Sequence, residues 1–214
     1  MAVPSSFSPS RGRRTRGAGF PRFFFRLDGP DRWAHHRAVD ARRVLGLFEA
    51  AAARAGTRWA VIGGLAMNAY GYARATLDVD VVAEEGRRGI LLAALDGQGF
   101  EVVNDVEGFT NLLHPDPALG RLDVMWLEGS TAERVFGRMR ESPGSGEVAV
   151  KVPAPEHLAA MKVRSIQGRP TRVFRDGADL QHLLTLADLD HNEVRGYFER
   201  AGLLDLYDRL RAAP

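Results

Sequence analysis

The sequence predicts a mixed α/β (α+β) protein: a small mixed β-sheet with helices packed on it, followed by a C-terminal helical lobe. Three observations carry that expectation. Apolar strand-like runs alternate with helical periodicity through residues 38–152. An Asp-x-Asp strand at residues 76–81 follows a glycine pair, Gly63-Gly64, and a helix-compatible segment. Beyond Pro153 only helical periodicity remains. With 214 residues, 45% of them hydrophobic, the chain is long enough for one substantial core, or a core and a small helical lobe.

The chain reads in three parts: a basic, largely disordered segment at 1–37, a sheet-containing core at 38–152, and the lobe at 153–214. Up to Arg37 there are eight arginines against two aspartates, whereas the rest holds 21 basic and 25 acidic residues. The formal net charge of +2 therefore conceals a mildly acidic body behind a basic leader. Residues 1–19 contain no acid and little apolar surface, so they are expected not to fold alone. An RNA-contacting arm or an organellar transit peptide would share that composition. Phe20, Phe23, Phe24, Phe25 and Trp33 make the next stretch aromatic, and it is expected to pack on the domain or on a partner.

In order, Ala41, Val44, Leu45, Phe48 and Ala52 recur at helical steps until Gly56 stops them. A short strand, 60–62, leads into Gly63-Gly64. In the strand that follows, successive side chains alternate between faces, so Asp78 and Asp80 share one side while Val79 and Val81 enter a core. A helix is expected over 84–98 with Ile90, Leu91 and Leu95 inward, then strands at 100–104 and 110–114. The run 121–127 alternates again, Leu122, Val124 and Trp126 on one side and Asp123 on the other. Paired beside the Asp-x-Asp strand, Asp123 would lie about 5 Å from it between Cβ atoms. Alternatively, Asp123 forms a turn or pairs with Arg121. A short helix over 130–138, a loop at 143–146, a last strand over 147–152, and helices at 157–166, 174–187, 192–200 and 203–211 complete the reading.

Two carboxylates held on one strand face repel each other, and a divalent cation removes that penalty. Hard oxygen ligands suit Mg²⁺, which keeps its other positions for water and phosphate oxygens. A glycine pair at a strand-to-helix turn exposes backbone N–H groups suited to phosphate. Lys162 is one of only two lysines in an arginine-rich chain, and its flexible ammonium suits a polyphosphate, although an exposed helix lysine is the plainer reading. Asp176 would equally serve the helix N-terminus.

The Gly-Gly turn followed by Asp78-x-Asp80 resembles the nucleotidyltransferases of the DNA polymerase beta-like superfamily. The longer pattern, Gly63-Gly64-Leu65-Ala66, Tyr70-Gly71 and Arg74-x-Thr76-x-Asp78-x-Asp80, resembles the AbiEii/MenT-like, toxin-type branch. The resemblance, spanning roughly 40–190, implies a nucleotidyltransferase core and transfer of a nucleoside monophosphate from an NTP to an acceptor hydroxyl, with Mg²⁺ or Mn²⁺ on Asp78, Asp80 and Asp123. It assigns Gly63, Gly64, Thr76, Lys162 and Asp179 to the nucleotide, the last two through Pro155-Glu156-x-Leu158-x-x-x-Lys162 and Arg175-Asp176-x-x-Asp179-Leu180. It also implies an RNA acceptor such as the tRNA 3′ end, and a cognate antitoxin as partner. A small antibiotic acceptor, or a non-catalytic nucleotide-binding role, fits the same residues. One departure is Gly64, where many members carry serine.

Several chemistries are excluded. The absence of cysteine rules out disulfides, Cys-ligated metals and thiol nucleophiles. There is no Gly-x-Ser-x-Gly elbow, His-Glu-x-x-His helix or Gly-x-x-x-x-Gly-Lys loop, and the six histidines are scattered. No run approaches the twenty apolar residues of a membrane span, so a cytoplasmic protein without a membrane partner is expected.

Overall fold

A computed structural model describes residues 39–143 and 149–212. The expectations for residues 1–37 lie outside them. Helix α1 (Ala41–Ala55) begins where the Asp40 carboxylate accepts from the Arg43 N–H at 3.1 Å, and ends at Gly56, whose φ of 62° suits the left-handed C-terminal cap. Its Val44, Phe48 and Ala51 are fully buried. Phe48 meets Trp59 edge to face with ring centroids 4.9 Å apart, and burying a side chain of that size contributes about 2–3 kcal/mol.

The main sheet comprises β1 (Trp59–Val61), β2 (Asp78–Glu84), β3 (Glu101–Val106), β4 (Phe109–Leu113) and β5 (Arg121–Leu127), in the order β1-β2-β5-β4-β3. Only β2 and β5 are parallel; the other pairs are antiparallel. β5 thus joins two antiparallel pairs into one mixed sheet. Val79, Leu122 and Leu112 lie in register on one face and are fully buried, so the core sits under that face. The opposite face carries Asp80, Asp123, Asn111 and Asn104 in one row across four strands.

Helix α2 (Gly63–Ala69) follows β1 directly, and α3 (Arg88–Asp96) packs beside α1. The helix expected from residue 84 starts later, because Glu84 still belongs to β2 and Glu85–Arg87 forms a 3₁₀ turn. That delay sets the inward stripe on Leu91 and Leu95, both fully buried, and leaves Ile90 52% exposed. After α4 (Gly129–Gly137), the expected last strand is β7 (Ala149–Val152). It pairs with β6 (Arg140–Pro143) in a separate two-stranded ribbon instead of extending the main sheet.

The C-terminal part is helical, as expected: α5 (Pro155–Gly168), α6 (Val173–Leu183), α7 (His191–Ala201) and α8 (Leu204–Ala212). Pro155 occupies the first turn of α5, where its missing N–H costs nothing. The buried Glu156 accepts from Arg138 at 2.9 Å and from the Asp190 N–H at 2.9 Å, tying the start of α5 to α4 and α7. α6 ends before the apolar stripe projected for it does, and Ala187 is exposed. Among the described residues no helix is long and apolar enough to cross a membrane.

Candidate active site

The alternation of β2 is carried through: Val79 and Val81 are fully buried, and Asp78 and Asp80 are partly exposed on the other face. Parallel pairing sets Asp80 directly opposite Asp123. One carboxylate oxygen from each of Asp78, Asp80 and Asp123 lies within 4.8 Å of the other two. Asp123 is only 5% exposed. Its Oδ1 accepts from Asn111 Nδ2 at 2.6 Å and from Arg121 Nε at 2.7 Å. The two readings of Asp123 therefore coexist, since it pairs with Arg121 and joins the acid cluster.

The glycine turn lies directly against this cluster. Gly63 has φ of +63°, and a Cβ there would sit 2.0 Å from Asp80 Oδ2; a Cβ on Gly64 would sit 3.0 Å from Thr76 Cβ. Close approach by itself therefore demands the first glycine. The Ile62 N–H donates to the Asp80 carbonyl at 2.9 Å, fixing the turn to the strand. Thr76 Oγ1 donates to Asp78 at both its carbonyl (2.8 Å) and Oδ1 (3.0 Å), so it sets the orientation of that carboxylate.

Burial, and then the charges of Asp78 and Asp123, push the Asp80 carboxyl up to about 6, against the smaller pull of Lys162 and Arg175. Desolvation is thus the main cost of ionising Asp80, and the two neighbouring acids add to it.

A second set of charges lies between α5 and α6. Lys162 Nζ donates to Asp179 Oδ2 at 2.5 Å and to Asp176 Oδ1 at 3.2 Å. Arg74 reaches the same Asp179 oxygen at 2.6 Å, and Arg172 Nε reaches Asp176 Oδ2 at 2.8 Å. Both aspartates are buried. Burial alone would raise the Asp176 carboxyl, but the hydrogen bond from Arg172 and the charge of Lys162 hold it below the usual carboxylate range. Lys162 is thus a nearly buried partner of two acids and not the exposed helix lysine of the plainer reading. Asp176 shares with Asp179 the task of holding it.

Sequence reasoning left out Asn111, Arg172 and the pairing of Arg74 with Asp179. Arg74 stands in the quoted motif, and Arg172 lies one turn before Asp176, so spacing carried a signal for both. Asn111 carried one only through strand register. The loop after α2 is tied to α6 as well: His182 Nε2 lies 2.8 Å from the Tyr70 carbonyl, and its ring stacks on Tyr72.

The five-stranded mixed sheet with its flanking helices matches the fold of solved nucleotidyltransferases. Among solved structures, the antibiotic-resistance factor ANT(2'')-Ia is similar in solution at a TM-score of 0.59, with 20% identity over 80% of this chain and 96% of that one. Its crystal structure with adenylyl-2''-tobramycin matches at 0.56, again with 20% identity, over 78% and 99%. The lincosamide antibiotic adenylyltransferase LnuA, lincomycin-bound, matches at 0.51 with 13% identity over 70% and 99%. No family model matches this sequence, and no curated protein does.

Proposed function

We propose that the protein transfers a nucleoside monophosphate from an NTP to an acceptor hydroxyl, releasing pyrophosphate. The observation that carries this is the convergence of Asp78, Asp80 and Asp123 within 4.8 Å, beside the glycine turn. Three hard carboxylate donors at that spacing fit Mg²⁺ or Mn²⁺. Asp78 and Asp80 would hold both ions of a two-metal site and Asp123 one of them. Bound there, the cations would neutralise phosphate charge and lower the pKa of the attacking hydroxyl.

The chain's own residues do the rest. The acceptor oxygen forms a bond to the α-phosphorus as the bond to the bridging oxygen of the β-phosphate breaks; the hydroxyl proton passes to a carboxylate of the cluster, and pyrophosphate leaves. The first N–H groups of α2, at Gly63 and Gly64, have no acceptor within the helix and suit phosphate oxygens. Thr76 acts through Asp78, which it orients. Lys162 has three donors, two of them engaged by Asp176 and Asp179, and the third suits an outer phosphate. Asp179 holds both Lys162 and Arg74 in place.

For the acceptor, a small hydroxylated molecule gains support from two observations. The similar ANT(2'')-Ia and LnuA structures hold an adenylylated antibiotic and an antibiotic. Beside the triad, the same sheet face carries Arg121, which is paired with Asp123, and otherwise continues with Asn111, Asn104, the 41% exposed Leu113 and Glu101, a surface with little positive charge for a polyanion. A second reading, a toxin-type enzyme of the AbiEii/MenT-like branch acting on a tRNA 3′ end and restrained by an antitoxin, rests on the resemblance of Gly63-Gly64-Leu65-Ala66, Tyr70-Gly71 and Arg74-x-Thr76-x-Asp78-x-Asp80, with the eight arginines of residues 1–37 available to hold RNA. Each labelled NTP should be incubated with the full chain and either total RNA or a panel of aminoglycosides and lincosamides. Label in the small molecules supports the first acceptor, and label in RNA that falls steeply with salt and with deletion of 1–37 supports the second. No label anywhere, with NTP binding intact, would replace the enzyme by a nucleotide-binding module.

A further inference from the structure

We propose that Asn111 and Asn104 form an amide relay that positions Asp123 and so sets the cation affinity of the acid cluster. The inference rests on the reading of that cluster as a metal site.

The relay begins with register. Asp123 on β5 faces Asn111 on β4, and Asn111 faces Asn104 on β3. Regular pairing would have set Val103 opposite Asn111, because Val102 already faces Leu112. A bulge between Val102 and Asn104 shifts β3 by one residue and brings Asn104 there instead. Such a bulge re-aims a side chain at the cost of ladder regularity, and here it leaves Val103 exposed.

Asn104 Nδ2 donates to Asn111 Oδ1 at 2.9 Å, and Asn111 Nδ2 donates to Asp123 Oδ1 at 2.6 Å. The first bond fixes the direction of the second. With its carbonyl occupied by Asn104, the Asn111 amide must turn its N–H end toward the carboxylate. The flipped amide would oppose oxygen to oxygen and N–H₂ to N–H₂, losing both bonds.

Arg121 Nε reaches the same Oδ1 at 2.7 Å, so two donors hold one carboxylate oxygen and rotation of the group would break both bonds. Neither of these two bonds engages Oδ2, the oxygen that would then meet a cation. Asn111 is also a neutral donor. It orders Asp123 without adding to the positive charge that Arg121 already brings to it, as a second lysine or arginine at this buried position would. Neither asparagine touches the reacting atoms, so both are positioning residues.

The test is a calorimetric Mn²⁺ titration of the full chain, with thermal unfolding in chelator measured alongside. Asn111→Leu, with the same branched side-chain skeleton but without a donor, should raise the Kd about 10–100-fold, the usual cost of losing a partner that orients a metal ligand. Asn104→Ala should raise it about fivefold, the worth of one neutral hydrogen bond. The KM for NTP at saturating Mn²⁺ should stay unchanged in both. A wild-type Kd retained in Asn111→Leu, whatever its melting temperature, overturns the relay. Should that variant fail to fold, Asn104→Ala decides in the same way. A wild-type chain that binds no Mn²⁺ would instead bring down the proposed function, and the relay with it.

Discussion

Two carboxylate clusters among the described residues differ in how their charge is matched. Asp176 and Asp179 are buried and matched by Lys162, Arg74 and Arg172. Asp78, Asp80 and Asp123 converge with Arg121 paired to Asp123, and burial, with the charges of the other two acids, pushes Asp80 up to about 6. The balanced cluster is consistent with holding structure, and the unbalanced one with holding a ligand, because uncompensated charge lowers the stability of the unliganded fold and is relieved on binding.

The sharpest way to break that contrast is to neutralise one charge in each cluster, an acid in the first and the shared cation in the second. Asp80→Ala should leave the fold intact and reduce transfer from labelled NTP by on the order of 10³-fold or more; retained transfer would end the catalytic assignment. Lys162→Met should do the reverse to the fold, destabilising it by about 3–5 kcal/mol in urea unfolding, since two buried carboxylates lose a shared cation. A variant as stable as wild type would show that the α5–α6 charges are not a structural unit.

A smaller effect sharpens the comparison through pH. The folded-state pKa of Asp80 is raised above its unfolded value, so its contribution to stability is full below about pH 4 and is lost as pH rises through about 6. Asp176 is depressed, so its contribution is present above about pH 4 and is lost as pH falls. In chelator at pH 7.5, Asp80→Asn should therefore stabilise the protein by roughly 1–3 kcal/mol, and the gain should vanish near pH 4. A pH-independent difference would contradict the charge argument. Smallest of all, Gly64→Ser should change stability by less than about 1 kcal/mol, because Thr76 must yield only a few tenths of an ångström. A large loss in thermal unfolding would mean that the turn is more rigid than its spacing implies.

Much of this contrast was legible in the sequence. Strand alternation placed Asp78 and Asp80 on one face and pointed to Asp123 as their neighbour, because period-two patterns encode facing directly. Rarity drew attention to Lys162, and its place in the pattern Pro155-Glu156-x-Leu158-x-x-x-Lys162 gave it a role. What could not be read depends on pairing across distance. Arg74 meets Asp179 across 105 residues, and no local pattern records that. β6, a four-residue run ending in proline, carries too little strand signal to announce itself, so its partner β7 was left without a mate. The bulge that selects Asn104 over Val103 arises from the meeting of two strands and has no signature in either. Ile90 came out exposed because a 3₁₀ turn delayed the helix, and element boundaries are set by such local competition.

The place of β5 between two antiparallel pairs also bears on how the protein forms. β1 pairs with β2, and β3 with β4, whereas the parallel β2–β5 contact needs the whole intervening segment in place first. Long-range pairing of this kind is slow because the loop entropy is spent before the contact is gained. Cation binding should therefore emerge with the final phase of refolding, and a nascent chain would carry no working site until its middle strand had docked.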